Sequence, residues 1–192
     1  MKETIVIVDA DLTTRLTLKK LLIEENYDVV SEGKDGFEAI DMCKSKRPDL
    51  LIINAELPVL NGIKAGKKII IENYAKAVIY LCNDCDEMNK TNLDRINSNR
   101  TIGWVPKPVH KEVLLSTICL GMEKIAYIEQ LEEEVVGLNK KLGERKIIEK
   151  AKGILMEEQR LNESEAYKFI QRLSMQKQTS MAEIADLILL DV

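Results

Sequence analysis

The chain has 192 residues, enough for one large or two small domains, and its 45% apolar content can build a real core. A net charge of −4 announces no global basic field, and 4% aromatics fits a helix-rich protein. No apolar run reaches membrane-spanning length, Met1 to Ala10 runs straight into a strand pattern with no signal peptide, and the four scattered cysteines suit a reducing cytosol, so a cytoplasmic protein is expected.

Short apolar runs alternate with amphipathic segments over the first 120 residues. Thr4 to Val8 (TIVIV) reads as a buried strand ending at Asp9, and Leu12 to Glu25 as a helix. Tyr27 to Ser31 follows as a strand and Gly36 to Cys43 as a helix. Leu50 to Ile53 is a third strand ending at Asn54, followed by a helix over Gly62 to Ile71. Ala77 to Leu81 is a fourth strand, Glu87 to Ile96 a weaker helix, and Ile102 to Val105 a short fifth strand; a further helix begins near Lys111. Such β/α units predict a parallel sheet with helices on both faces. Function then sits at the carboxyl ends of the strands, here Asp9, Asn54, Cys82 and the loop holding Lys107. Cys82 and Cys85 form a CxxC, but there is no second such pair and His110 is the one histidine. They read as small core or loop cysteines, not as a metal or redox site.

IVIVDAD at the first strand, DLLIINAELPVLNG around the third and WVPKP after the fifth resemble the receiver domain of two-component response regulators, over about residues 3–123. The resemblance implies an α/β, flavodoxin-like, doubly wound sheet of five parallel strands. In receivers that work by phosphorylation, an aspartate ending the third strand accepts a phosphoryl group and paired acids after the first strand hold Mg²⁺. A Ser/Thr after the fourth strand and a lysine after the fifth contact the phosphoryl oxygens. Three of these places depart here. The acceptor position is Asn54, whose amide is not a nucleophile for this chemistry. The second residue of the acidic pair is Ala10, although Asp9 and Asp11 remain, and the hydroxyl position is Cys82. Lys107, followed by Pro108, is as the resemblance implies. The donors left make a poor divalent-ion site, so no metal or other cofactor is expected. The expectation is a receiver-shaped domain not switched by phosphorylation, in which Lys107 rests on Asp9 or on the Asn54 carbonyl. Asp9, Asp11 and Asn54 read equally as caps of strands and helices. Trp104 stands where receivers carry a switching aromatic, and reads also as a half-buried packing residue. The Lys107-Pro108 peptide is a candidate cis bond.

Past His110 there is no proline, and Glu112 to Glu158 reads as one long helix or two nearly continuous ones, with Gly121, Gly137 and Gly143 as weak points. Ile128, Leu131, Val135, Leu138 and Leu142 alternate steps of three and four, a short heptad seam flanked by glutamates. A parallel homodimer is the expected use of that seam. Charge shifts along the chain: residues 1–136 carry 18 Lys/Arg against 23 Asp/Glu, and residues 137–192 carry 10 against 9. Six basic residues and two acidic ones fall between Lys140 and Lys152, a modest signal for a polyanion. Asn162 with Glu165, and Ser180 with Glu183, are capping-box starts of two further helices. The first buries Ala166, Phe169, Ile170 and Leu173; Tyr167 reads as an aromatic ring free to stack, though its helical position fits that core side better.

RKIIEKAKGILM (145–156), LNESEAYKFIQRLSM (161–175) and MAEIADLI (181–188) resemble the ANTAR domain of transcription antiterminators. The resemblance implies three helices that bind nascent RNA carrying two adjacent small hairpins. The domains expected are a receiver-like domain over 1–123, a coiled-coil linker helix over 124–144 and an ANTAR domain over 138–192. Arg145, Lys146, Lys150 and Lys152 are candidate phosphate contacts on the first helix, with Arg172 and Lys177 on the second. Ala151 and Gly153 are candidates for close approach, and Ser174 for a hydrogen-bond donor. The expected function is an RNA-binding antitermination regulator whose receiver-like domain answers a regulatory protein partner or a ligand. The alternative is a coiled-coil adaptor that dimerises with, or titrates, a phosphorylatable relative. DNA binding is disfavoured because the last helix, Met181 to Leu190, has no Lys or Arg. No nucleophile–base pair or phosphate-cradling loop suggests an enzyme.

Overall fold

The computed structural model describes residues 2–83 and 100–190. They form two compact units, Met1–Glu129 and Gln130–Val192.

The first unit holds five strands: β1 (Thr4–Val8), β2 (Asp28–Gly33), β3 (Leu50–Asn54), β4 (Ala77–Cys82) and β5 (Thr101–Pro106). They pair in parallel in the order β2-β1-β3-β4-β5. Helices α1 (Leu12–Glu24), α2 (Gly36–Lys46) and α3 (Gly62–Ile71) follow the first three strands. The helix expected over Glu87 to Ile96 lies outside the described residues.

Alternation along the strands sorts side chains to two cores. Val6, Val8, Leu51, Ile53, Val78 and Tyr80 meet Ala39 and Cys43 of α2 and Ala65 and Ile69 of α3. Ile5, Ile7, Leu50, Ile52, Ile79 and Leu81 meet Leu18 and Leu22 of α1. Leu114, Ile118 and Ile125 join that second core from α4 (Lys111–Gln159). Both faces of the central strands are therefore dry, which is why their sequences are unbroken apolar runs. Burial in this core pushes the Cys43 thiol up to about 12.

Asp11, Asp35 and Asn61 cap α1, α2 and α3 by accepting backbone N–H bonds. At the start of α3, a Cβ on Gly62 would lie 1.8 Å from the Asn54 carbonyl oxygen. That position requires glycine so that α3 can begin against the end of β3.

In the second unit the last turns of α4 pack on α5 (Glu163–Lys177) and α6 (Met181–Leu190), through Ala151, Leu155, Ala166, Ile170, Ile184 and Ala185. α4 runs without a break through Gly121, Gly137 and Gly143. The weak points expected there do not end it. A capping box of Asn162 and Glu165 starts α5, and Ser180 and Glu183 exchange the equivalent bonds at α6. Tyr167 departs from expectation: it is 44% exposed. The inward row of α5 is Ala166, Ile170 and Ser174, four residues apart, and Tyr167 stands one position off it.

Candidate functional site

Asp9 closes β1 and is 1% exposed. Its Oδ2 forms an ion pair with the Lys107 ammonium. Its Oδ1 accepts from the Asn54 amide at 3.3 Å and from the Asp11 N–H at 3.0 Å. Asn54 Oδ1 accepts in turn from the Glu56 N–H at 3.1 Å. The Lys107 N–H donates to the Cys82 carbonyl at 2.8 Å, and the Lys107-Pro108 peptide is cis. Arg15 Nη1 donates to the Asp9 carbonyl at 2.7 Å from outside the ring of side chains. Asp9, Asn54 and Lys107 thus form one hydrogen-bonded group in which the carboxylate faces a cation and an amide.

Asp11 belongs to a different structure. Both its oxygens cap α1, accepting from Thr13 N, Thr14 N and the Thr14 hydroxyl. Those bonds, led by the Thr14 hydroxyl, hold its carboxyl below the ordinary value. The donors facing the site are one carboxylate and one amide, which does not fit a divalent cation. Among the described residues no group of three His, Cys, Asp or Glu side chains is placed to hold a metal ion.

Cys82 is buried at the end of β4, with its Sγ 3.7 Å from the Val105 carbonyl oxygen. Cys85 lies outside the described residues. Trp104 stacks on Tyr80, with ring centroids 4.8 Å apart, and packs against the core.

The second candidate site is the basic face of α4. Arg145, Lys146 and Lys150 are exposed. Lys146, Lys150 and Gly153 follow one another at helical spacing along one row. A Cβ on Gly153 would meet nothing within 4 Å. Arg172 is exposed on α5 with its guanidinium over the Phe169 ring at 5.8 Å, and Lys177 is exposed in the last turn. Three other candidates are turned inward. Ala151 is a core residue with no exposed area, so its small side chain serves the packing of α5 and α6. Lys152 is held between Glu149 and Glu163. Ser174 is buried and donates its hydroxyl to the Gln171 carbonyl at 2.8 Å. The inward Ser174 was hidden in the sequence because a serine four residues past Ile170 breaks the apolar signal of that row.

Along the seam, Ile128 packs against the core of the first unit. Leu131, Val135, Leu138 and Leu142 are exposed, at 41% to 56%. Among the described residues no helix is long and apolar enough to cross a membrane.

Comparison with known proteins matches both parts. The response regulator receiver domain matches residues 5–119, and the ANTAR domain matches residues 137–189. Fold and sequence together define a response regulator of the transcription-regulating kind, and the chain belongs to the ANTAR-type response regulators. It is 30% identical over 185 residues to the transcriptional regulatory protein PdtaR of Mycobacterium tuberculosis, covering 96% of this chain and 88% of that one. It is 28% identical over 118 residues to the chemotaxis protein CheY of Bacillus subtilis, covering 62% of this chain and 96% of that one. The receiver domain of a modulated diguanylate cyclase from Desulfovibrio desulfuricans superposes with a TM-score of 0.59 at 22% identity, over 66% of this chain and 98% of that one.

Proposed function

We propose that this chain is an RNA-binding antitermination regulator whose receiver-like unit is not switched by phosphoryl transfer. It works in the cytoplasm on nascent RNA with paired small hairpins, as a homodimer through Leu131, Val135, Leu138 and Leu142. The observation that carries the RNA reading is the open basic row of Lys146, Lys150 and Gly153 within the ANTAR-matching part. A mid-helix glycine costs roughly 1 kcal/mol against alanine, and among the described residues nothing packs on Gly153 to require it. A ligand backbone lying along the row accounts for it. Arg145 at the edge of that row, with Arg172 and Lys177 on α5, supplies further phosphate contacts. A dimer doubles the face and raises the effective concentration of the second contact.

Asn54 supports the second half. Its amide is no nucleophile and is already bonded to Asp9, which Lys107 neutralises. Control then falls to a regulatory protein partner or a ligand. Exposure of the purified protein to an acyl-phosphate donor tests this: the expected mass is unchanged, and a gain of one phosphoryl group on the receiver unit overturns it. The exposed seam also favours a second reading, an adaptor that pairs with a phosphorylatable relative. That reading predicts weak RNA binding alone and heterodimers tighter than homodimers.

A further inference from the structure

Lys152 is the most buried lysine in the second unit: its side chain is 7% exposed. Its ammonium lies 2.9 Å from Glu149 Oε2 and 2.8 Å from Glu163 Oε1. Glu149 is one turn back on α4. Glu163 is the first residue of α5, immediately after the N-cap Asn162. Residues 160–162 make the turn between the two helices, with Arg160 in the left-handed region at φ 54°. Beside Lys152, Ala151 and Leu155 pack against Ala166 and Ile170. The ammonium faces two carboxylates, which a phosphate would have to displace. Its two carboxylate partners, by contrast, are 54% and 71% exposed. Two anions around one cation leave this edge net negative, which repels a nucleic-acid backbone.

We propose that Lys152 is a positioning residue for the RNA-contacting face and not a member of it: the Glu149–Lys152–Glu163 group locks the first turn of α5 onto the last turns of α4. The inference rests on the RNA reading above. Arg172 and Lys177 ride on α5, so the seating of α5 sets how they stand relative to Lys146 and Lys150. The geometry also limits the footprint, with contacts along the Lys146–Lys150 row and none along the Glu149–Lys152 row one residue away. The hydrogen bonds within the group agree with its tightness: Lys152 holds the Glu163 carboxyl below its ordinary value, and Glu163 and then Glu149 raise the lysine.

Full-length Lys152→Glu, Glu163→Lys and the combined swap test the lock, since the swap restores an opposite-charge pair at unchanged net charge. Two quantities are read: affinity for an RNA of two short hairpins at fixed salt, and amide hydrogen exchange across residues 160–166. Each single change is expected to speed exchange there by about tenfold and to weaken RNA binding by about tenfold. Glu163→Lys weakens binding even though it adds positive charge. The swap is expected to recover most of both. Recovery of exchange with RNA binding left as weak as in Lys152→Glu would mean that Lys152 touches RNA. Unchanged exchange in the single variants would mean that there is no lock. If the unaltered protein binds no RNA, the RNA reading falls, and hydrogen exchange still decides whether the lock exists.

Discussion

Asn54 donates its amide to Asp9 at 3.3 Å in a buried site, so an aspartate there replaces a donor with a second carboxylate. Asn54→Asp is expected to lower stability by about 1–3 kcal/mol, the usual cost of a buried group left without its partner. It also restores the carboxylate that a divalent ion lacks. The melting temperature of Asn54→Asp should therefore rise with added Mg²⁺ while that of the unaltered protein does not. Equal response of both proteins would contradict the reading of the site. At Gly153, alanine meets open space and improves helix propensity. Gly153→Ala should stabilise the second unit by roughly 1 kcal/mol in thermal melts. The same change should weaken RNA binding; stabilisation with unchanged affinity would remove Gly153 from the contact face. Lys152 and Glu163 also set a pH window. Glu163 is held below its ordinary 4.5, so its contribution is full above that value and is lost as pH falls from there through the lower folded value. Lys152 is raised above its ordinary 10.5, so its contribution holds below that value and fades only in stronger alkali. Protection across residues 160–166, measured against the intrinsic exchange rate at each pH, should fall on acidification below about pH 4.5 in the unaltered protein, and Lys152→Met should flatten that acid limb.

Among the elements, α4 shows what an exposed helix needs. Residues 131–142 have no buried side chain, and Gly137 and Gly143 meet nothing. A helix stripped of tertiary packing owes little to propensity alone, and the proposed homodimer would cover the seam. Leu138→Glu should turn a sedimenting dimer into a monomer; an unaltered protein that sediments as a monomer at micromolar concentration would contradict the seam. The elements were legible in the sequence where burial is uniform. β1, β3 and β4 are dry on both faces, so TIVIV, LLII and AVIYL show as unbroken apolar runs short enough to read as central strands. β2 is an edge strand, half-buried for most of its length, and its observed span, Asp28–Gly33, extends past the apolar run that marked it. The strand-end residues Asp9, Asn54 and Lys107 were also legible, because β/α topology brings strand ends together whatever lies between them. The lock at Lys152 was not. Glu163 is 11 residues away across a turn, and only the packing of α5 on α4 brings the charges together. Tyr167 and Ser174 exchanged their expected sides because a helix row tolerates one small hydroxyl whose proton returns to its own backbone.

At the scale of the whole molecule, a receiver domain and an ANTAR domain share one unbroken helix, Lys111–Gln159. At the described strand ends Asp9, Asn54 and Lys107 are bonded to one another, while the second unit presents exposed cations at Lys146 and Lys150. Output without phosphate is what the proposed function expects. The measurement that bears on it most directly is equilibrium binding of the full-length, unphosphorylated protein to an RNA with two short hairpins. Fixed salt is essential, because phosphate contacts are salt-dependent. Duplex DNA of equal length and Lys150→Ala/Arg172→Ala serve as controls. The expected result is tight RNA binding that falls at least about tenfold in the double variant, with no comparable affinity for DNA. Binding of RNA and DNA alike, or binding indifferent to the double variant, would contradict it.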